Sequence, residues 1–186
     1  MSRTPDDIED ELLVLQCQTG DAEALKTLIG RWQTRLGRLA YRLTGEREAA
    51  RDSVQEAWLS IIRGVARLDD PARFRSWAYR IVRNKCADWV RRRGVQRVAD
   101  EELRTVAPPE SADPPASSDS SEEMERLREA LANLPDEQRA ILSLCYLDGM
   151  SVAEIAKVFD IAVGTVKSRL FHARSRLRKA LERMKT

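Results

Sequence analysis

Histidine is nearly missing from this chain: His172 is the only one in 186 residues, and cysteine stops at three. Cys17, Cys86 and Cys145 are odd in number, widely spaced and never set as a Cys-x-x-Cys pair. That spacing argues against a disulfide framework and a metal site, so neither a metal nor another cofactor is expected. The three read as partly buried thiols in a reducing compartment. No stretch alternates apolar and polar residues as a half-buried strand does, and no apolar run approaches the ~20 residues that span a bilayer. Met1 to Gln18 is acidic where a secretory leader has a basic start, so no leader or membrane insertion is expected and the location reads as cytoplasmic. Acids are the last scarcity: from Val163 to the end Glu182 stands alone.

The stretch with so few acids is rich in cations. In "SVAEIAKVFDIAVGTVKSRLFHARSRLRKAL", Ser151 to Leu181, the residues Val152, Ile155, Ala156 and Phe159 recur at the spacing of one helical face. Val166, Leu170, Ala173, Leu177 and Leu181 do the same further on, so the pattern predicts one short and one long amphipathic helix. Ser151 with Glu154 reads as a capping box that starts the first near Val152. Asp160-Ile161-Ala162 interrupts the pattern too briefly for anything but a tight turn, which makes this helix-turn-helix spacing. Lys167, Arg169, Arg174, Arg176, Arg178 and Lys179 lie off the apolar stripe of the second helix. A solvated helical face usually mixes both signs; one sign without the other points to a polyanion. In that geometry Val163, Gly164, Thr165, Lys167, Ser168 and Arg169 reach base edges or nearby phosphates, and later arginines such as Arg174 hold phosphate.

The formal net charge of +2 conceals a segregation. Val98 to Glu123 carries a net −7, whereas Lys26 to Arg97 carries +11. A basic body and a basic tail around an acidic tether suit a nucleic-acid partner. The tether contains "APPESADPPASSDSSEE", Ala107 to Glu123, whose proline, serine and acid cannot bury enough surface to offset ordering entropy. The sequence therefore predicts an all-α protein of two small helical domains, residues 6–97 and 122–186, joined by a flexible acidic linker over 98–121.

In the second domain, helices are expected over Glu122 to Asn133 and Asp136 to Leu147, with Asp148-Gly149 as the stop before the helix-turn-helix. In the first, Asp6 to Gln18 forms one helix. Asp21 caps a second reaching about Leu43, with Gly30 and Gly37 as points where it could break, and a third runs from about Glu46 to Arg63, ended by Gly64. Asp70-Pro71 opens a fourth, "ARFRSWAYRIVRNKCADWVRRR", ended by Gly94. That helix interleaves aromatics with cations. Phe74 and Trp89 share a face with Ala78 and Ile81 and read as core, while Tyr79 and Arg83 point away from it. Trp77 and Tyr79 fit either a core or a stacking platform for unpaired bases among arginines.

Three stretches together resemble the extracytoplasmic-function group of bacterial sigma factors, from about Glu11 to Leu181. They are "DSVQEAWLSIIRG" (Asp52 to Gly64), "RFRSWAYRIVRNKCADWVRRR" (Arg73 to Arg93), and "LPDEQRAILSLCYLDGMSVAEIAKVFDIAVGTVKSRLFHARSRLRKAL" (Leu134 to Leu181). The resemblance implies a subunit that directs core RNA polymerase to promoter DNA and catalyses no bond change itself. By that resemblance Asp52, Gln55, Glu56 and Trp58 dock on the β′ clamp helices. Trp77, Tyr79, Arg80, Arg83 and Asn84 recognise and open the minus-ten element, with the loop Arg67 to Asp70 receiving a flipped base. The recognition helix reads the minus-thirty-five element, the β flap is a further contact, and an anti-sigma factor is a further partner. Three positions depart from the family pattern: Leu68 where phenylalanine is frequent, Ala162 where a capping serine is usual, and Ser53 where the residue is usually more apolar.

Two other classes fit less well. A conventional regulator with this helix-turn-helix needs a receiver or ligand-binding domain in front, and the first half shows helices rather than apolar strands with clustered acids. A nucleic-acid enzyme needs metal-binding carboxylates that the basic modules lack, and His172 among arginines is a weak base. It reads as a surface residue.

Overall fold

The computed structural model describes residues 4–101 and 122–183, with side chains placed for 4–94 and 124–183. The chain divides into two compact units, Met1–Thr105 and Val106–Thr186. Every regular element among the described residues is helical. The expected linker over 98–121 falls almost wholly outside them.

The first unit holds α1 (Pro5–Gln18), α2 (Ala22–Thr44), α3 (Arg47–Gly64) and α4 (Phe74–Glu101), with single 3₁₀ turns at Val65–Arg67 and Pro71–Arg73. Thr4 starts α1 with a capping box: its hydroxyl accepts from the Asp7 amide, and the Asp7 carboxylate accepts from the Thr4 amide. The Thr4 amide, then its hydroxyl, hold the Asp7 carboxyl below the usual carboxylate range. Asp21 caps α2 by accepting from the Glu23 and Ala24 amides. Leu28, Trp32, Leu36 and Leu39 then follow at helical spacing and are all buried. Around them pack Val14 of α1, Val54, Ala57 and Ile61 of α3, and Phe74, Ala78, Val82 and Cys86 of α4. The Trp32 ring meets Phe74 edge-on at 5.4 Å. Burial pushes the Cys86 thiol up to about 11, and small Ser53, also buried, faces it from α3.

Two possible breaks and one expected stop are continuous helix. α2 runs through Gly30 and Gly37, and α4 runs through Gly94 to Glu101. Tertiary burial on one face outweighs the helical cost of an isolated glycine, about 1 kcal/mol. A Cβ added at Gly30 or Gly37 meets nothing within 4 Å. Replacing either by alanine should therefore stabilise this unit by about 1 kcal/mol. All four tryptophans lie in this unit, so a higher urea midpoint followed by their fluorescence is the check, and an unchanged or lower one contradicts it.

The second unit holds α5 (Glu122–Ala132), α6 (Asp136–Tyr146), α7 (Val152–Phe159) and α8 (Val163–Arg183). Gly149, at φ 61°, takes the left-handed conformation that lets the chain turn between α6 and α7. The capping box at α7 is formed: the Ser151 amide donates to Glu154 Oε2 at 2.8 Å and the Glu154 amide to Ser151 Oγ at 3.2 Å. Its core is Ile141 and Leu144 of α6, Ile155, Val158 and Phe159 of α7, and Val166, Leu170 and Ala173 of α8. Asp160 closes α7 in the left-handed region at φ 55°. Asparagine and aspartate tolerate that region better than other non-glycine residues. The Ala162 carbonyl accepts from the Thr165 and Val166 amides and opens α8.

Candidate functional site

The outer face of α3 carries Asp52, Gln55 and Glu56, all exposed. Glu56 also reaches across to α4, 3.5 Å from Lys85 and 4.0 Å from Arg92. Trp58 does not belong to that face. It is only 7% exposed, and its indole N–H donates to Gln33 Oε1 of α2, so its ring is part of the α2–α3 seam. Helical geometry turned it inward: its buried neighbours Val54, Ala57 and Ile61 lie three or four residues away or beside it on one stripe. In its place α3 presents Leu59, 55% exposed, and Ile62, 41% exposed, one and two turns beyond Gln55. Two large apolar residues facing water on one otherwise amphipathic helix are a signal of a docking face. Extending the α3 periodicity by two turns would have found them in the sequence.

On α4 the expected residues separate. Arg80 and Asn84 are exposed and Arg83 is partly so, its Nη1 donating to Asn84 Oδ1 at 3.0 Å. Tyr79 is fully buried and meets Trp32 edge-on at 5.7 Å. It cannot stack on a base. The expected outward direction failed because α2 and α3 both pack on α4, and between them they cover a wider arc than one stripe. Trp89, expected in the core, is partly exposed and carries the Arg93 guanidinium over its ring at 5.0 Å. Trp77 is half-buried, tilted against Phe74 at 6.2 Å. Its ring lies over Gly64, where an added Cβ would stand 2.8 Å from Trp77 Cζ2. Gly64 is thus the last residue of α3, and its missing side chain makes room for the indole.

Other cations of α4 are balanced within the unit. Arg75 pairs with Asp7, Arg91 with Asp88 and Arg93 with Glu46, and just before the helix Arg73 pairs with Asp70. The loop before α4 is held from an unexpected quarter. Gln18, the last residue of α1, donates from Nε2 to the Leu68 carbonyl at 2.8 Å and to the Val65 carbonyl at 3.1 Å. Nothing in local sequence joins residues so far apart.

On α8, Val163, Gly164, Lys167 and Ser168 are exposed and Thr165 is partly so. Arg169 is tied to Glu137 of α6, and the Arg174 guanidinium sits over the Tyr146 ring at 5.4 Å. Both cations flank the outer face of α8 and are steadied by α6. On the outer side, one turn past Ser168 and two past Gly164, stand Phe171 and His172. Phe171 is 68% exposed, and sequence periodicity had assigned it no role. Among the described residues no group of three or more His, Cys, Asp or Glu could hold a metal ion, and no helix is long and apolar enough to cross a membrane.

Residues 28–95 match the family Sigma-70 region 2, and residues 124–177 match Sigma-70, region 4. The chain is 37% identical to ECF RNA polymerase sigma factor SigM of Mycobacterium tuberculosis, over 90% of this chain and 82% of SigM. The chain belongs to the ECF sigma factors. It is also 36% identical to ECF RNA polymerase sigma factor SigE of Mycolicibacterium smegmatis over 86% of this chain, spanning 63% of that relative. Among solved structures, the sigma factor RpoE in complex with the anti-sigma factor NepR from Bartonella quintana superimposes with a TM-score of 0.70 at 26% identity, covering 84% of this chain and 96% of that one. This sigma factor therefore serves promoter-specific transcription initiation with core RNA polymerase. Its first matched segment spans α2 to α4, and its second spans α5 to most of α8.

Proposed function

We propose that this sigma factor docks on the β′ clamp helices through the outer face of α3, with Asp52 and Gln55 as polar contacts and Leu59 and Ile62 as apolar anchors. Glu56 contributes from the edge of that face while steadying Lys85. Exposed Arg80, Asn84 and neighbouring Arg83 meet the minus-ten element. The half-buried Trp77, whose ring lies over Gly64, contributes to the same element, and the loop Arg67 to Asp70 receives a flipped base. Unstacking a base costs a few kcal/mol, offset by contacts made only to the open strand. The start of α8, from Val163 to Arg169, enters the upstream duplex, with Arg174 on phosphate. The factor bridges the two promoter elements without making or breaking a covalent bond, and it works in the cytoplasm. The observation that carries the reading is the outer face of α8, small and exposed at Gly164 and Ser168 and flanked by cations that α6 steadies.

The relative solved with an anti-sigma factor supports a similar partner for this chain, and the region 4 unit reaches the β flap. The test is co-elution of the purified chain with bacterial core polymerase on a sizing column, beside a variant with Asp52, Gln55 and Leu59 replaced by alanine. The variant should lose co-elution while keeping its tryptophan-detected urea midpoint. Unaltered co-elution would remove the docking role from this face.

A further inference from the structure

Gln18 ends α1, and its partly buried amide reaches across to the loop between α3 and α4. Nε2 donates to the Leu68 carbonyl at 2.8 Å and to the Val65 carbonyl at 3.1 Å. The two ends of that loop are tied by their own chain. The Leu68 amide donates to the Val65 carbonyl at 3.2 Å, and the Asp70 side chain accepts from the Ala72 amide at 3.0 Å. Between these ties Leu68 is extended, at φ −76° and ψ 105°, and its neighbours Arg67 and Asp69 are exposed. Gln18 thus holds the middle carbonyl of the loop, and the side chains on either side of it are left to solvent.

The glutamine itself stands on a fixed base. The Gln16 carbonyl accepts from the Thr19 hydroxyl at 2.8 Å and from the Asp21 amide at 3.1 Å. Gly20, at φ 89°, takes the left-handed conformation that turns the chain there into α2. Further back, Glu9 and Asp10 of α1 hold Arg31 of α2. The donors offered to the loop are therefore braced by a second helix.

We infer that Gln18 is a positioning residue for promoter opening, which sets the shape of the loop Arg67 to Asp70 before a base arrives. The inference rests on the reading of that loop as the receiver of a flipped base. Leu68 offers a base no aromatic face to stack on, so the hold depends on where the backbone and the exposed side chains of the loop stand. A loop already in its bound shape loses little entropy when the base enters. More of the contact free energy is then left to offset unstacking.

The experiment uses the full chain assembled with bacterial core polymerase, and a promoter recovered by selecting random-sequence DNA for binding to that assembly. Forked templates of this sequence, with the minus-ten segment unpaired, are made intact and with one base at a time removed, and binding is read by fluorescence anisotropy. Gln18→Met and Gln18→Glu keep the length of the side chain and lose its donors. On the intact fork each should bind about ten-fold more weakly than the wild type, the worth of one or two net hydrogen bonds. On the fork that lacks the captured base each should match the wild type within about two-fold, because the contact they impair is already gone. A variant with Arg67→Ala and Asp69→Ala, made in the loop itself, identifies that base independently. If the loop variant couples to one base while the Gln18 variants bind like the wild type, or weaken every fork alike as a merely structural defect would, the inference alone is overturned. If neither the loop variant nor the Gln18 variants couple to any base, the reading of the loop falls and this inference with it.

Discussion

Replacing Tyr79 by alanine is expected to destabilise the first unit by about 3–5 kcal/mol, the usual cost of deleting a buried aromatic ring. The ring is fully buried, edge-on to Trp32, which in turn holds Phe74. Its loss opens a void at the centre of three helices, where α2, α3 and α4 share one core. Tyr79→Phe keeps the ring and its edge contact, and should cost about 1 kcal/mol at most, the net worth of one hydrogen bond. Urea unfolding followed by tryptophan fluorescence separates these outcomes, because it reports on this unit alone. A Tyr79→Ala protein that unfolds at the wild-type midpoint yet fails to open promoter DNA would restore the stacking role and contradict the buried one.

Arg31→Met carries the second large effect, about 3 kcal/mol, because it leaves a buried carboxylate without its cation. Asp10 of α1 is 7% exposed, and its Oδ1 accepts from Arg31 Nε at 2.9 Å. The same guanidinium binds Glu9 at 2.7 Å and lies 3.7 Å from Asp6. One arginine of α2 thus gathers three acids of α1. Adding Asp10→Asn to Arg31→Met should recover part of the loss, since it removes the stranded charge while keeping the shape. No recovery in the double variant would place the loss in the guanidinium's packing rather than in the ion pair. The effect should also reach function: α1 ends in Gln18, which holds the carbonyls of Val65 and Leu68. Loosening α1 releases the loop before α4, so promoter opening should suffer more than polymerase binding.

These two sites mark the limits of reading along the chain. Caps were legible because they are local: the Ser151 and Glu154 box, Asp21 before α2, Asp70-Pro71 before α4. The recognition helix was legible because its cations and its apolar stripe follow one period. Arg80 and Asn84, and Asp52 with Gln55, were named by the family resemblance, and all four are exposed. Tyr79 and Trp58, named the same way, are buried: a single helical wheel assumes one buried stripe, whereas α4 is covered by two helices and α3 shares a seam with α2. Phe171 and His172 were in plain view on the wheel, yet a scattered surface ring carries no signal until its neighbours are placed. Gln18 had no sequence signal at all, since a glutamine side chain finding carbonyls 47 and 50 residues away is a product of packing.

By itself the sequence determined the helical class, the helix-turn-helix with its one-signed second helix, and three segments in the order of one family. Each of those rests on periodicity, capping chemistry or charge, which act within a few residues. The tertiary structure alone decided which aromatics are core and which are surface, which cations are already neutralised, and what steadies the loop before α4. Those are set by the arc of each helix that its neighbours cover, and by side chains that meet only when distant segments pack together.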